Sequence, residues 1–589
     1  MDQKIKTSAQ PYAILCSPHS EFERCILGDH RSQFAGNYLH KMTSDVRSCA
    51  TFENIETRAV GIKSSLRLPN CCVISLTSTM KNKKIIGVCL PVAALRKQTA
   101  NRSKLCKIYG GIACVALLDP AMASDTDKAR SAYPSYFTRP GAAGTDYNTW
   151  KGATKADVAE TKVQVKRLPS RVDNSKRPQY PPIYEQKWGT CGQHAAIASV
   201  FTYEMNLLRG TNADSDATRF PAYFSWNMVN GAKDDGSEAY HGWEVAKRLG
   251  IPTSKSYGGV PPEKIGMWPN GYQIWRDAME YHVAGYRYSP VTTVQQLDEA
   301  RGWLFDKNCA VPDKNAVGGI FAMDGRMGEQ EKITVKVPDG QYAAGEEIWT
   351  RWAPTGFGHG LTCVGYDDQV GYDYNGDGKI TNDIDTNKDG KIDLADWERG
   401  CFIVANSWGA KWSGDGRIYL PYSAMTDKDW ERGNYLGRVE VSHQIPRMTL
   451  RLKLACSDRS DLRVSIGMAK DPKATAPTSE IAPEVLNGWP LFGGLSTGRV
   501  PIAGPDDSEP IELGIDLTAL AVECGRSAGN KREIFLRLGL AKDSKAEGKV
   551  YECAVRYYDA QGKFLRESML AQHEGNIGTT ELKISEVLN

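Results

Sequence analysis

The most informative segment of this 589-residue sequence runs Phe402-Ile403-Val404-Ala405-Asn406-Ser407-Trp408-Gly409. A short uncharged apolar run is typical of a buried strand, and this one ends at the amide of Asn406. A second tryptophan, Trp412, and the glycine turn Gly414-Asp415-Gly416 follow. The pattern predicts a strand that delivers one amide side chain to a fixed place in the fold.

A second strand-like run lies upstream and opens with a histidine. It reads Gly358-His359-Gly360-Leu361-Thr362-Cys363-Val364 and ends in Gly365-Tyr366-Asp367. Farther upstream, the turn Trp188-Gly189-Thr190-Cys191 leads into Gly192-Gln193-His194 and an apolar run that reaches Phe201. A glycine turn that brings a cysteine to the first turn of a helix places its sulfur at the positive end of the helix dipole. That position lowers the pKa of the thiol.

These three segments supply complementary chemistry. A cysteine nucleophile needs a base that takes its proton and a third group that fixes the tautomer of that base. Cys191, His359 and Asn406 offer the three groups in this order along the chain. We therefore expect them to meet in one catalytic site.

With these motifs the sequence resembles the papain family of cysteine peptidases, from about Leu168 to Tyr422. The resemblance implies an α+β fold of two lobes, a helical left lobe and an antiparallel β-barrel right lobe, with a cleft between them. It implies that Cys191 is the nucleophile, His359 the acid and base, and Asn406 the group that orients the imidazole. The implied activity is that of an endopeptidase on protein or peptide substrates, through a thioester acyl-enzyme and without a cofactor for catalysis.

The same resemblance gives roles to neighbouring residues. Trp408 would shield the hydrogen bond between the histidine and the asparagine from water. Ala195–Leu208 would be the central helix of the left lobe. The segment Tyr240-His241-Gly242-Trp243 would form the wall of the main specificity pocket.

Two positions depart from the family pattern. The oxyanion-hole glutamine of the family stands six residues before the cysteine, where this chain has Glu185, while Gln186 stands five before it. A carboxylate would repel the developing oxyanion, so we expect Gln186 to serve. Gly192 replaces the bulky aromatic residue that follows the nucleophile, and this replacement predicts a wider cleft.

A competing alignment leaves a second interpretation open. Gly189-Thr190-Cys191-Gly192 also matches a family turn whose cysteine is a disulfide partner three residues before the nucleophile. In that register His194 would take the nucleophile's position, and the chain would be a catalytically inactive binding protein on the same fold. No cysteine lies between Cys191 and Cys309 to complete that disulfide, and this favours Cys191 as the nucleophile.

An acidic insertion, residues 368–400, separates the histidine and asparagine segments. Calcium loops of the EF-hand type carry oxygen ligands at positions 1, 3 and 5, a glycine at 6, a backbone carbonyl at 7 and a carboxylate at 12. Two such loops begin twelve residues apart and resemble dockerin or thrombospondin type 3 repeats. The predicted ligands are Asp373, Asn375, Asp377 and Lys379 in the first loop and Asp385, Asn387, Asp389, Lys391 and Asp396 in the second.

The first calcium loop is an incomplete match, because Ile384 holds its position 12. The expected cofactor is structural Ca²⁺, which would fix a surface hairpin near the cleft. Calcium used at millimolar concentration fits an extracellular setting.

Residues 1–123 are predicted to be a leader region that carries an internal signal peptide at about 102–123. The apolar run Ile108–Leu118 is preceded by basic residues and followed by Ala121-Met122-Ala123, which are the three parts of such a signal. Residues 124–167 are predicted to be a linker or a short pro-segment. We therefore expect a secreted protein, extracellular or periplasmic. No apolar run reaches the roughly 20 residues of a transmembrane helix.

The remaining chain divides at about residue 445, which ends the peptidase-like domain that starts at 168. Residues 446–589 alternate short apolar runs with Gly, Pro, Asp and Ser clusters, which is typical of an all-β sandwich. Accessory sandwiches bind carbohydrate or protein, or serve only as structure, and no motif decides between these roles. The net charge of +3 creates no field that would attract nucleic acid.

Overall fold

The computed structural model describes six strands between residues 12 and 91, and then a longer C-terminal part. That part comprises residues 168–258, 264–307, 316–330, 333–426, 435–488, 499–525, 531–571, 575–578 and 582–588. The chain divides into two compact units, Met1–Tyr133 and Pro134–Asn589. The predicted signal peptide at 102–123 and the linker at 124–167 lie outside the described residues.

The first unit contains two antiparallel sheets. Strands β1 and β2 pair with each other, and β3 to β6 form a four-stranded meander in sequence order. The bounds are β1 Tyr12–Leu15, β2 Arg24–Leu27, β3 Thr51–Arg58, β4 Gly61–Arg67, β5 Cys72–Thr79 and β6 Lys84–Pro91.

The second unit is built around helix α1, which comprises the consecutive segments Cys191–Gln193, His194–Phe201 and Thr202–Arg209. The middle segment has π-helical hydrogen bonding, and the helix ends at Gly210, whose φ of +64° suits glycine. Its small and apolar side chains from Ala195 to Phe201 are almost all fully buried. The other helices are α2 Ala222–Val229, α3 Ala239–Arg248, α4 Ser254–Tyr257, α5 Tyr272–Ala278, α6 Val294–Phe305, the distorted α7 Ser413–Gly416, α8 Tyr422–Met425 and α9 Thr518–Cys524.

A nine-stranded sheet packs beside these helices. Its order is β10-β11-β14-β13-β12-β9-β15-β8, with β7 paired to β12, and all its pairs are antiparallel except β11 with β14. The bounds are β7 Arg171–Asp173, β8 Tyr281–Pro290, β9 Phe321–Met327, β10 Thr334–Lys336, β11 Glu347–Trp349, β12 Phe357–Gly371, β13 Arg399–Ala405, β14 Arg417–Pro421 and β15 Tyr435–His443. The mixed helix and sheet content agrees with the expected class, whereas closure of the sheet into a barrel stays a prediction.

Two further antiparallel sheets follow in the C-terminal region, with orders β19-β16-β21-β22, to which β23 adds at β21, and β18-β17-β20-β24. Apolar side chains of both sheets belong to one buried cluster, as a sandwich requires. The bounds are β16 Met448–Cys456, β17 Leu462–Ala469, β18 Ser479–Ile481, β19 Ile511–Asp516, β20 Arg532–Leu540, β21 Gly548–Tyr558, β22 Phe564–Ala571, β23 Gly575–Ile577 and β24 Leu582–Leu588.

Helix α5 of the peptidase-like part packs against the sandwich part. The Tyr272 hydroxyl lies 2.6 Å from the hydroxyls of Thr449 and Tyr558. A Cβ at Gly514 of β19 would stand 2.9 Å from Met279 and 3.2 Å from Trp275. The sandwich is therefore packed directly on the helical part of the second unit.

Candidate active site

Cys191 is the first residue of α1 and lies against the histidine strand β12. A Cβ placed on Gly360 would be 2.7 Å from the Cys191 carbonyl oxygen and 2.7 Å from Cα of Gly192. Because Cβ atoms essentially never approach backbone so closely, only a glycine allows this contact. It brings strand β12, on which His359 directly precedes Gly360, against the backbone of the half-buried Cys191.

A second close contact of the backbone requires a glycine at position 192. A Cβ there would be 1.9 Å from the Ser237 carbonyl oxygen, so the loop before α3 occupies the space beside the nucleophile. Asp234 anchors this loop by accepting a 2.8 Å hydrogen bond from the Gly189 N–H, and Trp226 Nε1 donates to the Asp235 carbonyl at 3.0 Å. The expectation that Gly192 widens the cleft is wrong, because backbone of the 234–237 loop fills that space.

His359 and Asn406 form a hydrogen-bonded pair. The distance from His359 Nε2 to Asn406 Oδ1 is 2.8 Å, and the same oxygen accepts the Ser407 N–H at 2.7 Å. The second bond fixes which end of the amide faces the ring, so Nε2 is the donor and Nδ1 keeps its lone pair. The imidazole is thereby held in the tautomer that can take a proton from a nucleophile.

Aromatic rings and burial keep water from this pair. The Trp408 ring centroid lies 4.9 Å from that of His359, and Phe357 lies at 6.5 Å on an edge. His359 and Asn406 are only 3% and 4% exposed. A hydrogen bond that is shielded in this way is stronger than one in water.

Gln186 precedes Cys191 by five residues, and its side chain is fixed at both ends. Its Nε2 donates to the Trp188 carbonyl at 2.9 Å, and its Oε1 accepts from the Ser407 hydroxyl at 2.6 Å. The Gln186 N–H also donates to the Ser407 carbonyl at 2.7 Å. Glu185, in contrast, is exposed and forms an isolated bridge with Trp408. The side-chain amide of Gln186 is thus held in a fixed orientation, and its role at the oxyanion stays a prediction.

Burial governs the ionisation of the two reacting groups. It raises the pKa of the Cys191 thiol, although the backbone N–H groups of Gly360 and Gly192 oppose the rise. It lowers the pKa of His359, although the hydrogen bond to Asn406 opposes the fall. The lowered thiol pKa expected from the helix terminus is therefore wrong for the free site, because desolvation of the thiolate outweighs these N–H groups.

His194, the residue of the competing register, lies inside the helical part. It is 4% exposed, its Nδ1 donates to the Thr190 carbonyl at 3.1 Å, and its ring packs against Tyr184 and Tyr223. Burial lowers its pKa to about 4, so it is neutral at physiological pH. This environment is that of a packed core histidine.

The segment expected to form the wall of the specificity pocket occupies the first turns of α3. Trp243 is fully buried, donates from Nε1 to the Ala196 carbonyl at 3.1 Å and packs on Tyr286 and Tyr288. Tyr240 is half-buried and lies over the ring of His241 at 4.2 Å. Tyr240 therefore reaches the surface of this segment, whereas Trp243 belongs to the core.

The two acidic loops share one backbone geometry. Asp373 accepts N–H groups of its own loop at positions 5 and 6, and Asp385 does the same in the second loop. Asn375 and Asn387 each accept the N–H two residues on. Asp377 and Asp389 do the same, with the N–H groups of Lys379 and Lys391 as the donors. In the part of the chain that the structure describes, no three His, Cys, Asp or Glu side chains converge as a metal site. Calcium at these loops stays a prediction.

Sequence reasoning missed one carboxylate here, Glu398. In the second loop, Asp396 Oδ1 accepts the N–H groups of positions 2 and 3, and Oδ2 accepts that of position 9. Glu398, 2% exposed, accepts the same three N–H groups in the first loop, from Tyr374, Asn375 and Thr381. Glu398 thus takes the structural place that Ile384 leaves open, from beyond the end of the second loop.

The acidic insertion lies at the opposite end of its strands from the catalytic residues. Strand β12 carries His359 near its start and reaches the insertion at Gly371, and β13 leaves the insertion at Arg399 and ends beside Asn406. The expectation of a hairpin near the cleft is therefore wrong.

No protein-family model matches this chain, and no curated protein does. Similar solved structures include xylellain, a cysteine protease from Xylella fastidiosa, with 18% identity and a TM-score of 0.30 over 47% of this chain and 87% of that one. Another is the bromelain protease of Ananas comosus in complex with the inhibitor E64, with 14% identity and a TM-score of 0.29 over 46% of this chain and 99% of that one. A third is digestive procathepsin L 3 of Tenebrio molitor larval midgut, with 13% identity and a TM-score of 0.29 over 47% of this chain and 71% of that one. In the described residues, no helix is both long and apolar enough to cross a bilayer.

Proposed function

We propose that this protein is a cysteine peptidase in which Cys191 is the nucleophile, His359 the acid and base, and Asn406 the orienting group. The observation that carries the proposal is the buried 2.8 Å hydrogen bond between His359 and Asn406. His359 is on strand β12, whose Gly360 touches the backbone of Cys191. A thiol, a base and an amide that fixes the tautomer of the base are the groups by which an activated nucleophile works in acyl transfer.

The reaction begins with transfer of the Cys191 Sγ proton to His359 Nδ1. The thiolate then attacks the scissile carbonyl carbon, and the oxyanion that forms is stabilised by the Cys191 N–H and by Gln186 Nε2. The imidazolium returns its proton to the leaving amine as the carbon–nitrogen bond breaks, which leaves a thioester. Water, deprotonated by the imidazole, hydrolyses this thioester and restores the thiol.

An epoxide inhibitor of the E-64 type tests the proposal. We expect one covalent adduct by mass spectrometry on the wild-type protein and none on Cys191→Ser, with peptide hydrolysis lost in parallel. Cys363→Ala, which removes a fully buried thiol on the histidine strand, is the matched control and should still be labelled. An adduct that does not depend on Cys191, or no adduct, would favour the binding protein with His194 at the nucleophile position.

We further propose that the acidic loops bind structural Ca²⁺ through the predicted ligands, and that the peptidase acts outside the cytoplasm. The donor chemistry suits the ion, since side-chain oxygens of Asp and Asn recur at the spacing of calcium loops. Addition of CaCl₂ to the EGTA-treated protein should raise its melting temperature. Asp385→Asn combined with Asp389→Asn should reduce that rise, because only the first loop then keeps all its ligands. An equal rise in the double variant would overturn the calcium proposal.

A further inference from the structure

The pairing of β9 with β12 places the carboxylate of Asp324 on the face of the sheet that contacts Cys191 through Gly360. In the antiparallel pair of β9 and β12, Asp324 lies directly opposite Gly360. Residues that are directly opposite in such a pair project to the same face. The position of a Cβ on Gly360 points at Cys191 and Gly192, so the side chain of Asp324 lies on the face that meets the nucleophile.

The charge of Asp324 acts on the pKa of both Cys191 and Tyr288. The half-buried carboxylate contributes to the raised pKa of the Cys191 thiol, after the larger effect of burial. It also contributes, again after burial, to the raised pKa of the Tyr288 hydroxyl. Tyr288 packs on Trp243 beside Gly437 of the neighbouring strand β15. The carboxylate is thus close to the reacting sulfur as well as to this aromatic group.

A second set of acidic residues approaches from the helical side. Glu238 caps α3, where its carboxylate accepts the His241 N–H, and its charge also acts on Tyr288. Asp234 and Asp235 precede it in the loop that covers Gly192. Acidic groups therefore border the region next to Cys191 on both sides, a charge distribution that favours a cationic ligand.

We infer that the cleft selects substrates with a lysine or arginine side chain next to the scissile bond, and that Asp324 is the residue that determines this specificity. This inference rests on the proposed peptidase function and adds the substrate class. A guanidinium or ammonium group would pair with the Asp324 carboxylate, with Glu238 as a second acidic neighbour. Charge-assisted hydrogen bonds are roughly twice as strong as neutral ones, so the selection is expected to be large.

Two sets of fluorogenic peptides test the inference. One set varies the residue directly before the scissile bond, and the other varies the residue before that one. Within each set the peptides differ only in having arginine, leucine or glutamate at the varied position. At one of these positions, wild-type protein should cleave the arginine peptide with a kcat/KM about 10-fold or more above that of the leucine peptide. Asp324→Asn should reduce this preference to about 3-fold or less. Because the preference is a ratio of two peptides cleaved by the same variant, an effect of the substitution on the nucleophile itself cancels from it. The preference should also fall as NaCl is raised, because the pair is partly exposed.

Matched variants separate a charge effect from a structural one. Asp324→Glu keeps the charge and should keep the preference, while Asp339→Asn makes the same chemical change at an exposed turn and should alter nothing. If the leucine peptide is cleaved in a Cys191-dependent way but arginine gives no advantage at either position, the specificity inference is overturned and the proposed function stands. If no peptide is cleaved and no inhibitor adduct forms on Cys191, both fail together.

Discussion

At the scale of single residues, the site depends on glycines as much as on the reacting groups. Cys191, His359 and Asn406 could be predicted from the sequence, because each stands in a motif with its own local spacing. Asp324 could not, since its place beside Cys191 follows from strand register over 36 residues of chain, and register is not readable from one sequence. Glu398 was missed for a related reason, because it completes a loop that ends before it.

Gly360→Ala tests the contact between β12 and α1. The added methyl would meet backbone of Cys191 and Gly192 at 2.7 Å, so the strand must move and carry His359 with it. We expect peptide hydrolysis to fall by about 100-fold, because a displacement near 1 Å is costly to catalysis. Gly285→Ala on β8, where the nearest atom is 4.0 Å from the added Cβ, is the control and should be active. Full activity of Gly360→Ala would contradict this explanation.

Asp324→Asn should also change the ionisation of the nucleophile. Besides burial, the groups that act on the Cys191 thiol are this carboxylate and the backbone N–H groups of Gly360, Gly192 and Cys191 itself. Removal of the negative charge favours the thiolate, so the pKa of the thiol should fall. The rate of alkylation by iodoacetamide, measured against pH, should then rise at a lower pH than in wild-type protein. An unchanged or more alkaline profile would show that the carboxylate does not act on the sulfur.

At the scale of secondary-structure elements, the central helix was predicted close to its observed bounds. The sequence predicted a central helix over Ala195–Leu208, and the structure begins it at Cys191 and ends it at Arg209. Its π-helical middle was not predictable, because π turns have no strong sequence signature. Short strands were expected across residues 446–589, since alternation of apolar residues marks them, and the described residues there include nine strands between Met448 and Leu588.

His241 at the start of α3 predicts a loss of stability in acid. Its Nδ1 accepts the Glu238 N–H at 3.2 Å, and burial lowers its pKa to about 4, against the favourable charges of Glu238 and Glu244. The unfolded protein binds the proton near pH 6.5 but the folded protein does not, so stability is complete above that pH. It falls as pH decreases toward 4, by up to about 3 kcal/mol.

Urea unfolding followed by tryptophan fluorescence at pH 7 and pH 4.5 measures this effect. His241→Gln cannot take up the proton, so its loss of unfolding free energy between the two pH values should be smaller than in wild-type protein. Replacement of the exposed Asp339 by Asn serves as control and should keep the wild-type difference. Equal losses in His241→Gln and wild type would show that this histidine does not contribute.

At the scale of the whole molecule, the sandwich part and the peptidase-like part share an interface at α5. The sequence predicted both parts, but not their contact, because it depends on Gly514 presenting bare backbone to Met279 and Trp275. An ion pair between Arg248 of α3 and Glu484 adds to the same interface. The sandwich part and the peptidase-like part are thus packed together within the second unit.

Gly514→Leu should therefore destabilise both parts together. The new side chain cannot fit against α5, and overpacking of this kind costs about 1–3 kcal/mol. We expect a lower melting temperature and faster proteolysis, with reduced peptide hydrolysis although the change is outside the active site. Gly578→Ala, where no atom lies within 4 Å of the added Cβ, should behave as wild type. Unchanged melting of Gly514→Leu would indicate that the interface does not couple the two parts.

The length of β12 has a consequence for how this protein can vary. Gly371 stands twelve positions after His359, and at about 3.3 Å per residue a strand of that length covers up to about 40 Å. The acidic insertion is attached where the catalytic groups are farthest away along the strand. Lineages could therefore lengthen, exchange or lose the insertion in the course of evolution while the chemistry at the other end of the strand stays the same.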